Sequence, residues 1–573
     1  MDLLVAELAR RGKLLVGDPF FEGGVPVVVD PKGVGDAAVG DLVVLRLGRG
    51  RARIERDLGK PASIEAVLEG LLWHRGVRRP APSVPPEPGD EVDAGRVDLR
   101  DLPAFTIDPD TAKDFDDAIS VRAEGDGLRA WVHIADVSAY VPSGSPLDRD
   151  AAERAFSTYV PGLVEPMLPE ALSNDRCSLR PLEDRRAVTV EIPFDARLQP
   201  GEPAFYRSLI RSNERLTYGQ AQAILAGELE VVPETAETLR LAQRLTEELR
   251  HRRFARGALR LETGEITFAF DGRGGVERAW IEEEPLAHML VEELMILANE
   301  AVGALLAGRR REALFRVHER PDPQSIELLV SKLADLEVPT PAVPEHLTGA
   351  DAARLAAEIS GGIREFAAQA GRGKEAFATL VLRALKQARY DPQNLGHSGL
   401  ASPAYCHFTS PIRRYPDLVC HRALLRELGV ADDPPPEELE ALADWTSMRE
   451  REAAQVEYRA DALCGAWLLG KVLFEEGWDA EFDGEIIGAI GSGIFVRFGE
   501  VFEGFLPARR LVGEYFELNS LATALVGRRS GMRSRLGDAI RVQVESIDRI
   551  EGKVELRPPH AAEARPRGRR SRR

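Results

Sequence analysis

The chain has 573 residues, 93 acidic against 75 basic side chains, and a net charge of −18. This length predicts about three to five domains, and a composition of 44% hydrophobic and 29% charged residues is typical of globular proteins with several buried cores. No apolar run approaches the roughly 20 residues of a membrane-spanning helix, and nothing like a signal peptide follows Met1. We therefore expect neither a membrane protein nor a secreted one.

The cysteines and the charge balance narrow the class further. Four cysteines lie far apart with no CxxC pair, which argues against a structural zinc ribbon or a disulfide scaffold and suits a reducing cytosol. The acidic balance disfavours a protein that coats nucleic acid over its whole surface. It is compatible with a local basic channel, because steering depends on the electrostatic field at the cleft.

The first part of the chain predicts a small β-rich module followed by a helix and a linker. Residues 2–11 have the pattern of a short helix, and residues 27–29 and 42–45 have that of short strands separated by Gly, Pro and Asp. An amphipathic helix over 62–74 and a proline-rich linker follow. The fold of the module stays open between a reduced β-barrel and a winged helix.

The rest of the chain first mixes strands and helices and then returns to strands. The clearest elements of the mixed part are a strand and two helices, at 130–141, 286–306 and 436–474. Short strands with glycine-rich turns follow, as in a small OB-type barrel, and the arginine-rich end is expected to be disordered. The predicted fold class is multidomain α/β, with an α+β central domain flanked by a small N-terminal β-containing module and a C-terminal OB-fold barrel. The predicted segments are 1–60, 61–97, 98–474, 478–558 and 559–573.

Five aspartates fall within a stretch of ten residues between strand-like flanks: Asp108, Asp110, Asp114, Asp116 and Asp117. Like charges held close together raise one another's pKa, so a folded cluster of this kind calls for a cation. Oxygen ligands without nearby His or Cys favour Mg²⁺ or Mn²⁺ over Zn²⁺, and a lysine stands where an EF-hand loop needs glycine. A solvated acidic turn is the alternative, but apolar residues threaded through the cluster argue against it.

Four segments carry a family resemblance, in chain order. They are Gly95-Arg-Val-Asp-Leu-Arg-Asp-Leu-Pro with Asp114-Phe-Asp-Asp-Ala-Ile, then Ser157-Thr-Tyr-Val-Pro, Phe315-Arg-Val-His-Glu-Arg-Pro and His407-Phe-Thr-Ser-Pro-Ile-Arg-Arg-Tyr-Pro-Asp-Leu. Over about 95–470 this series resembles the ribonuclease II/R family, whose catalytic part is the RNB domain.

The resemblance implies a magnesium-dependent hydrolytic exoribonuclease, with Mn²⁺ as the alternative ion. Such an enzyme degrades single-stranded RNA from the 3′ end to nucleoside 5′-monophosphates by a two-metal mechanism. By matching positions, Asp108, Asp114 and Asp117 would hold metal, and Asp116 would be both the catalytic carboxylate and a metal ligand. Asp110 falls where the family varies and is left out of the site.

The resemblance also implies contacts to RNA. Arg413 matches an arginine at the scissile phosphate, where a planar guanidinium binds two oxygens; an ordinary surface ion pair is the alternative. Arg414 beside it is expected to be structural or to contact a backbone phosphate. Tyr159 matches a tyrosine on which the 3′-terminal base packs, and a core aromatic is the alternative. Leu261 stands where bacterial members often place an aromatic, which implies a weaker clamp on that base.

The predicted helix at 286–306 carries a glutamate on its apolar face. At about 100° per residue, Glu293 falls inside the apolar stripe and Glu292 outside it. A carboxylate on a buried face needs a partner or a function. The ribose-recognising glutamate of the family lies near this position, where it would distinguish RNA from DNA by accepting hydrogen bonds from a 2′-OH. A ribose contact and a structural ion pair both stay open for Glu293.

The flanking modules add expected RNA contacts. Residues 478–558 resemble an S1-type barrel, in which Phe495 and Phe505 are candidates for stacking on bases, although at least one of them is expected in the core. Family members usually carry two tandem cold-shock barrels before the catalytic domain. The short N-terminal segment holds one reduced module, cold-shock-like or winged-helix, which we expect to bind RNA.

The sequence thus predicts a cytoplasmic monomer that binds single-stranded RNA and no membrane. A catalytically inactive RNB-fold RNA-binding regulator is the rival interpretation. Such a protein would have lost metal-binding carboxylates or the phosphate-binding arginine, and this chain retains them. A DNA nuclease is disfavoured by the resemblance and by the ribose contact considered for Glu293.

Overall fold

The computed structural model describes residues 3–31, 35–261, 264–281, 286–511 and 514–559. The predicted tail, 559–573, lies outside the described residues except for its first residue. Within these ranges, none of the helices has both the length and the apolar character that a membrane crossing requires.

The N-terminal module is a curled five-stranded sheet with a helix packed on it. Its elements are β1 (Leu3–Arg11), β2 (Leu14–Pro19), β3 (Val27–Val28), β4 (Leu42–Arg46), β5 (Arg53–Gly59) and α1 (Ile64–His74). The strand order is β3-β2-β1-β4-β5. The two edges meet beyond β3, where the Asp30 N–H donates to the Ala52 carbonyl at 2.8 Å. The sheet therefore closes on itself around a small apolar core.

The helix predicted for residues 2–11 is wrong, because residues 3–11 form strand β1. It pairs antiparallel with β2 on one side and β4 on the other, so both of its backbone edges are satisfied. Val5, Ala6 and Leu8 are buried, a spacing that local sequence alone does not assign to a helix or a strand. The winged-helix alternative loses its first helix, and the closed sheet has the form of the barrel alternative.

A seven-stranded sheet lies at the centre of the molecule. The elements of this part are β6 (Val97–Asp98), β7 (Phe105–Asp108), β8 (Asp117–Glu124), β9 (Gly127–Ala135), α2 (Pro146–Arg154), β10 (Thr158–Val160), β11 (Leu163–Glu165), β12 (Asp184–Phe194), β13 (Ala204–Arg211) and β14 (Glu214–Thr217). The sheet order is β14-β7-β8-β9-β12-β13-β6, and β10 and β11 form a separate hairpin. The strand predicted at 130–141 is β9, which ends earlier because a 3₁₀ turn begins at Val137.

Helices cover the sheet and extend from it. These elements are α3 (Tyr218–Ala226), α4 (Pro233–Ala255), β15 (Ile266–Phe270), β16 (Val276–Ile281), α5 (Leu286–Gly308), β17 (Phe315–Val317), α6 (Pro323–Asp335), α7 (Gly349–Ala370), α8 (Ala376–Ala384), β18 (Arg389–Asp391), α9 (Tyr415–Glu427) and α10 (Leu439–Glu476). Helices α4 and α5 share one apolar core with the central strands. The helices predicted at 286–306 and 436–474 are present as α5 and α10.

The C-terminal part is a closed barrel. Its elements are β19 (Glu481–Ile490), β20 (Gly493–Phe498), β21 (Phe502–Pro507), β22 (Phe516–Leu518), β23 (Ala524–Gly527), β24 (Arg533–Arg535), β25 (Ala539–Asp548) and β26 (Lys553–Arg557). The closed order is β19-β20-β21-β26-β25, with β22 to β24 as a separate three-stranded sheet. Strand β1 pairs with β2 and β4, the second and fourth strands of its module. Strand β19 likewise pairs with β20 and β25, the second and fourth strands of the barrel, so the two modules share one strand order. The predicted fold class is confirmed; the domain boundaries stay predictions.

Candidate active site

The carboxylate cluster lies where two adjacent strands of the central sheet meet a loop. Strand β7 ends at Asp108 and β8 begins at Asp117, so the intervening loop brings the other acids to the same edge. Asp108, Asp114, Asp116 and Asp117 all line one cavity of about 2380 Å³. The sheet thus brings together the four aspartates that the sequence predicts to act as one site.

Asp116 is a buried carboxylate with one oxygen satisfied. Its Oδ1 accepts a hydrogen bond from the Ile412 N–H at 2.8 Å, while its buried Oδ2 has no hydrogen-bond partner. The Arg413 Nε atom lies 3.5 Å from that second oxygen. Burial raises the pKa of Asp116 well above its usual value, and the charge of Arg413 opposes the rise only in part.

The negative charges of the neighbouring aspartates are also poorly compensated. Burial, and then the charge of Asp117, raise the pKa of Asp108 to about 8, and the buried Oδ2 of Asp108 also lacks a hydrogen-bond partner. Burial raises the pKa of Asp117 to about 6. The site therefore holds more negative charge than its side chains neutralise, which is a condition that a bound cation relieves.

The donor chemistry fits a hard divalent cation. In the ranges that the structure describes, no group of three or more His, Cys, Asp or Glu side chains is arranged to hold a metal ion. The orphaned, buried oxygens of Asp108 and Asp116 nevertheless face a site made of carboxylates, which are the ligands preferred by Mg²⁺ and Mn²⁺.

Arg413 and Arg414 lie on the loop that leads into α9 and have different surroundings. Arg413 is partly exposed in the cavity and donates from Nη2 to the Ser410 Oγ at 3.0 Å. Arg414 also borders the cavity, but its guanidinium pairs at 2.7 Å with the fully buried Asp417. The same carboxylate accepts the Ser410 N–H at 2.8 Å. The guanidinium of Arg414 is therefore held by Asp417, whereas that of Arg413 lies beside the Asp116 carboxylate.

Tyr159 lines the cavity beside the arginine loop, residues 410–414, where the Arg413 carbonyl accepts the Ser157 N–H at 2.9 Å. It lies on β10 and is 36% exposed. Its hydroxyl donates to Asp114 Oδ2 at 2.8 Å, and its backbone N–H donates to Glu457 Oε1 on α10 at 2.9 Å. Burial and the nearby charge of Asp114 raise the pKa of this hydroxyl, so it stays a donor. The ring is thus held next to the carboxylates and is partly exposed in the cavity.

The structure does not place Leu261 in the cavity. Its partly buried side chain packs against a hydrophobic core, and it is absent from the described residues that line the cavity. The position predicted to contact the terminal base is therefore turned to the interior. Residues from the following β15–β16 hairpin, including Ile266 and Phe268, line the cavity instead.

Glu293 is buried in an ion pair, away from the cavity surface. The side chain is 2% exposed and pairs with Arg253 of α4, whose Nε lies 3.1 Å from both carboxylate oxygens. The neighbouring Glu292 lines the cavity and lies 3.5 Å from the same arginine. The helical-face argument correctly buried Glu293, and the ion-pair alternative describes its contacts. A ribose contact would require Glu293 to reach the cavity, and its buried side chain does not.

Both predicted barrel aromatics reach the cavity. Phe495 and Phe505 face each other across β20 and β21 with ring centroids 5.1 Å apart. Phe495 is exposed and Phe505 is half-buried, so neither lies fully in the core.

Sequence reasoning missed the part of the cavity formed by α10. Glu457, Tyr458 and Asp461 line it, and burial, followed by the charges of Glu457 and Glu265, raises the pKa of Asp461 to about 7. In the sequence these residues belong to a charged helical run that is typical of a solvated face. No local signal distinguishes them, because only the packing of α10 against β10 and β21 turns them inward.

Buried carboxylates facing an arginine in a large cavity define a site suited to phosphodiester chemistry. Residues 96–429 match the RNB domain family. The chain is 33% identical to ribonuclease R of Escherichia coli over 96% of its own length and 72% of the relative. It is 34% identical to ribonuclease R of Aquifex aeolicus over 90% and 74%, respectively.

A solved structure agrees with these relatives. The chain superposes on Mycoplasma genitalium RNase R in complex with ribose methylated single-stranded RNA with a TM-score of 0.86 and 26% identity, covering 97% of this chain and 89% of the other. The protein belongs to the RNB family, and its relatives are bacterial ribonucleases R, as the resemblance predicted.

The ion pair of Glu293 is testable by stability. Replacing one partner with Arg253→Met leaves a buried charge uncompensated and should lower the free energy of unfolding by about 3–5 kcal/mol. The double variant Arg253→Met, Glu293→Met should recover most of that loss. Chemical denaturation of both variants, followed by tryptophan fluorescence, measures the difference.

A matched control lies on the same two helices. Arg256 of α4 pairs at 3.0 Å with Glu300 of α5 at a more exposed position, so Arg256→Met should cost only about 0–1 kcal/mol. Equal effects of Arg253→Met and Arg256→Met would contradict a structural role for the buried pair.

Proposed function

We propose that this protein is a 3′-to-5′ hydrolytic exoribonuclease that degrades single-stranded RNA to nucleoside 5′-monophosphates. Its membership in the RNB family, with ribonuclease R relatives over nearly its whole length, makes it an exoribonuclease. The single observation that carries the finer proposal is the cavity in which Asp116, Arg413 and Tyr159 meet. Carboxylates, a phosphate-binding cation and a base-stacking ring are thereby combined at one end of a large cleft.

The proposed cofactor is Mg²⁺, with Mn²⁺ as the alternative. Asp108, Asp114, Asp116 and Asp117 would hold it, which accounts for the uncompensated charge and the orphaned oxygens of this cluster. A two-metal centre, when bound, supplies an activated water and stabilises the leaving 3′ oxygen.

Arg413 is the proposed phosphate ligand of this chain. Its guanidinium is the cation closest to the Asp116 carboxylate, and it retains donors for the scissile phosphate, where charge grows in the transition state. Ser410 accepts one of its N–H groups and so limits its orientations. The backbone of the arginine loop donates a hydrogen bond to Asp116, so the same loop positions both the carboxylate and the guanidinium.

The substrate strand is proposed to run from Tyr159 to the C-terminal barrel. The 3′-terminal base would stack on Tyr159, and upstream bases would stack on Phe495 and Phe505, which line the same cavity. The Mycoplasma genitalium relative was solved with single-stranded RNA, which supports this class of substrate. Glu292, rather than Glu293, lines the cavity and is the carboxylate able to accept a hydrogen bond from a 2′-OH. We also propose a cytoplasmic, monomeric enzyme.

The rival regulator and the DNA nuclease make different demands on this site. An inactive RNA-binding protein has no need to keep a buried, electrostatically costly cluster of aspartates beside an arginine. A DNA nuclease has no need for a 2′-OH contact. Matched RNA and DNA oligonucleotides separate the second rival from the proposal.

The activity is tested by a time course on 5′-labelled single-stranded RNA with Mg²⁺. We expect a ladder that shortens to a small core, release of nucleoside 5′-monophosphates, and no reaction in EDTA. Asp116→Asn should abolish cleavage because its orphaned oxygen loses its charge, while RNA affinity should change little. Gel electrophoresis and a binding assay on the same preparations measure both quantities.

Two outcomes would contradict this proposal. Substantial turnover by purified Asp116→Asn would refute the role of that carboxylate. An intact label with a shifted band in the binding gel would identify the RNA-binding regulator.

The stacking role of Tyr159 gives a separate prediction. Tyr159→Ala should weaken binding of the 3′ end by about 1–3 kcal/mol and lengthen the limit product, because shorter RNAs dissociate before the next cleavage. Tyr159→Phe keeps the ring but loses the hydrogen bond to Asp114, so its limit product should match that of the wild type. Unchanged end products in Tyr159→Ala would rule out the proposed contact.

A further inference from the structure

An exposed tyrosine on α10 lies between the two proposed base-binding places. Tyr458 is 68% exposed and lines the same cavity as the aspartates and Arg413. The preceding residue, Glu457, accepts the backbone N–H of Tyr159. Tyr458 therefore follows directly along α10 from the residue that anchors the proposed terminal-base site.

The other side of Tyr458 reaches the C-terminal barrel. Its hydroxyl lies 3.5 Å from Glu503 Oε2 on β21. Glu503 and Phe505 are two residues apart on that strand, so their side chains share one face. The register pairs Phe505 with Phe495 and Glu503 with Arg497 on β20. Tyr458 thus borders the barrel patch that carries both phenylalanines.

The charges beside the Tyr458 ring determine whether bases or phosphates of RNA bind there. Glu457 adjoins Tyr458 in the chain, and Glu503 lies at its hydroxyl. Arg497, a barrel cation in this patch, pairs with Glu503 and with Glu375. Carboxylates repel phosphate and accept hydrogen bonds from base amino and imino groups, so this surface suits nucleobases better than backbone.

We propose that Tyr458 stacks on an upstream base of the same RNA strand and so links the Tyr159 site to the Phe495–Phe505 pair. This inference rests on the proposed function, which puts a single strand in the cavity. An aromatic ring accepts any base on its face, so the contact adds affinity without sequence preference. The strand is then held at three successive aromatic positions, and α10 sets the spacing between the first and the second.

The test is binding of RNA by the full-length protein in EDTA, which prevents cleavage. Fluorescence anisotropy, in direct or competition form, compares a 12-nucleotide single-stranded RNA with a dinucleotide that reaches only Tyr159. Tyr458→Ala should weaken binding of the 12-nucleotide RNA by about 5- to 150-fold and leave the dinucleotide unchanged. Tyr458→Phe should bind both as the wild type does, because the stacking face is kept.

Tyr515 supplies a matched control. It is 67% exposed, and it is absent from the cavity-lining residues of the described ranges. Tyr515→Ala removes an equally exposed tyrosine from another part of the C-terminal region and should leave both affinities unchanged.

The outcomes separate this inference from the function on which it rests. Full affinity of Tyr458→Ala for the 12-nucleotide RNA, with a loss in Tyr159→Ala, would overturn the inference and leave the proposed function standing. An equal loss in Tyr458→Phe and Tyr458→Ala would assign the effect to the hydroxyl contact with Glu503 and would also overturn the stacking role. No binding of single-stranded RNA by the wild type would overturn the proposed function itself.

Discussion

The site depends on carboxylates that are buried together without enough positive charge to balance them. Burial and then the charge of Asp117 raise the pKa of Asp108 to about 8, and burial raises the pKa of Asp117 to about 6. Asp116 keeps a buried oxygen with no hydrogen-bond partner. Such an arrangement is costly, so the surrounding fold has to hold it in place. The central sheet does this by ending β7 and starting β8 at the two sides of the cluster.

The arginine loop is the second half of this constraint. Asp417, at the start of α9, accepts from Ser410 and pairs with Arg414, which fixes the turn between them. The same turn presents the Ile412 N–H to Asp116 and directs Arg413 towards the cavity. Arg414 therefore pairs within its own turn, while its neighbour Arg413 lies beside Asp116 in the cavity. The two adjacent arginines of this motif thus have different surroundings.

Helix α10 joins the part of the cavity that holds Tyr159 to the C-terminal barrel. It packs against β10, which carries Tyr159, and against β21, which carries Phe505. Glu457, Tyr458 and Asp461 of this helix line the cavity. The two end modules share a strand order, and α10 packs against both of them, on α1 of the N-terminal module and on β21 of the C-terminal barrel.

The sequence alone determined the family, and it pointed to the acid cluster and to Arg413, because these residues lie in contiguous motifs whose chemistry is local. It also predicted α5 and α10, whose long runs favour helices. Tertiary structure decided β1, where pairing on both edges overrode a helix-like pattern. It also decided the surroundings of Leu261, which packs against a core, and of Glu293, which pairs with Arg253 on another helix. Whether a side chain faces a core, a partner or a cavity depends on elements far away in the chain. Local spacing in the sequence does not predict how those elements pack.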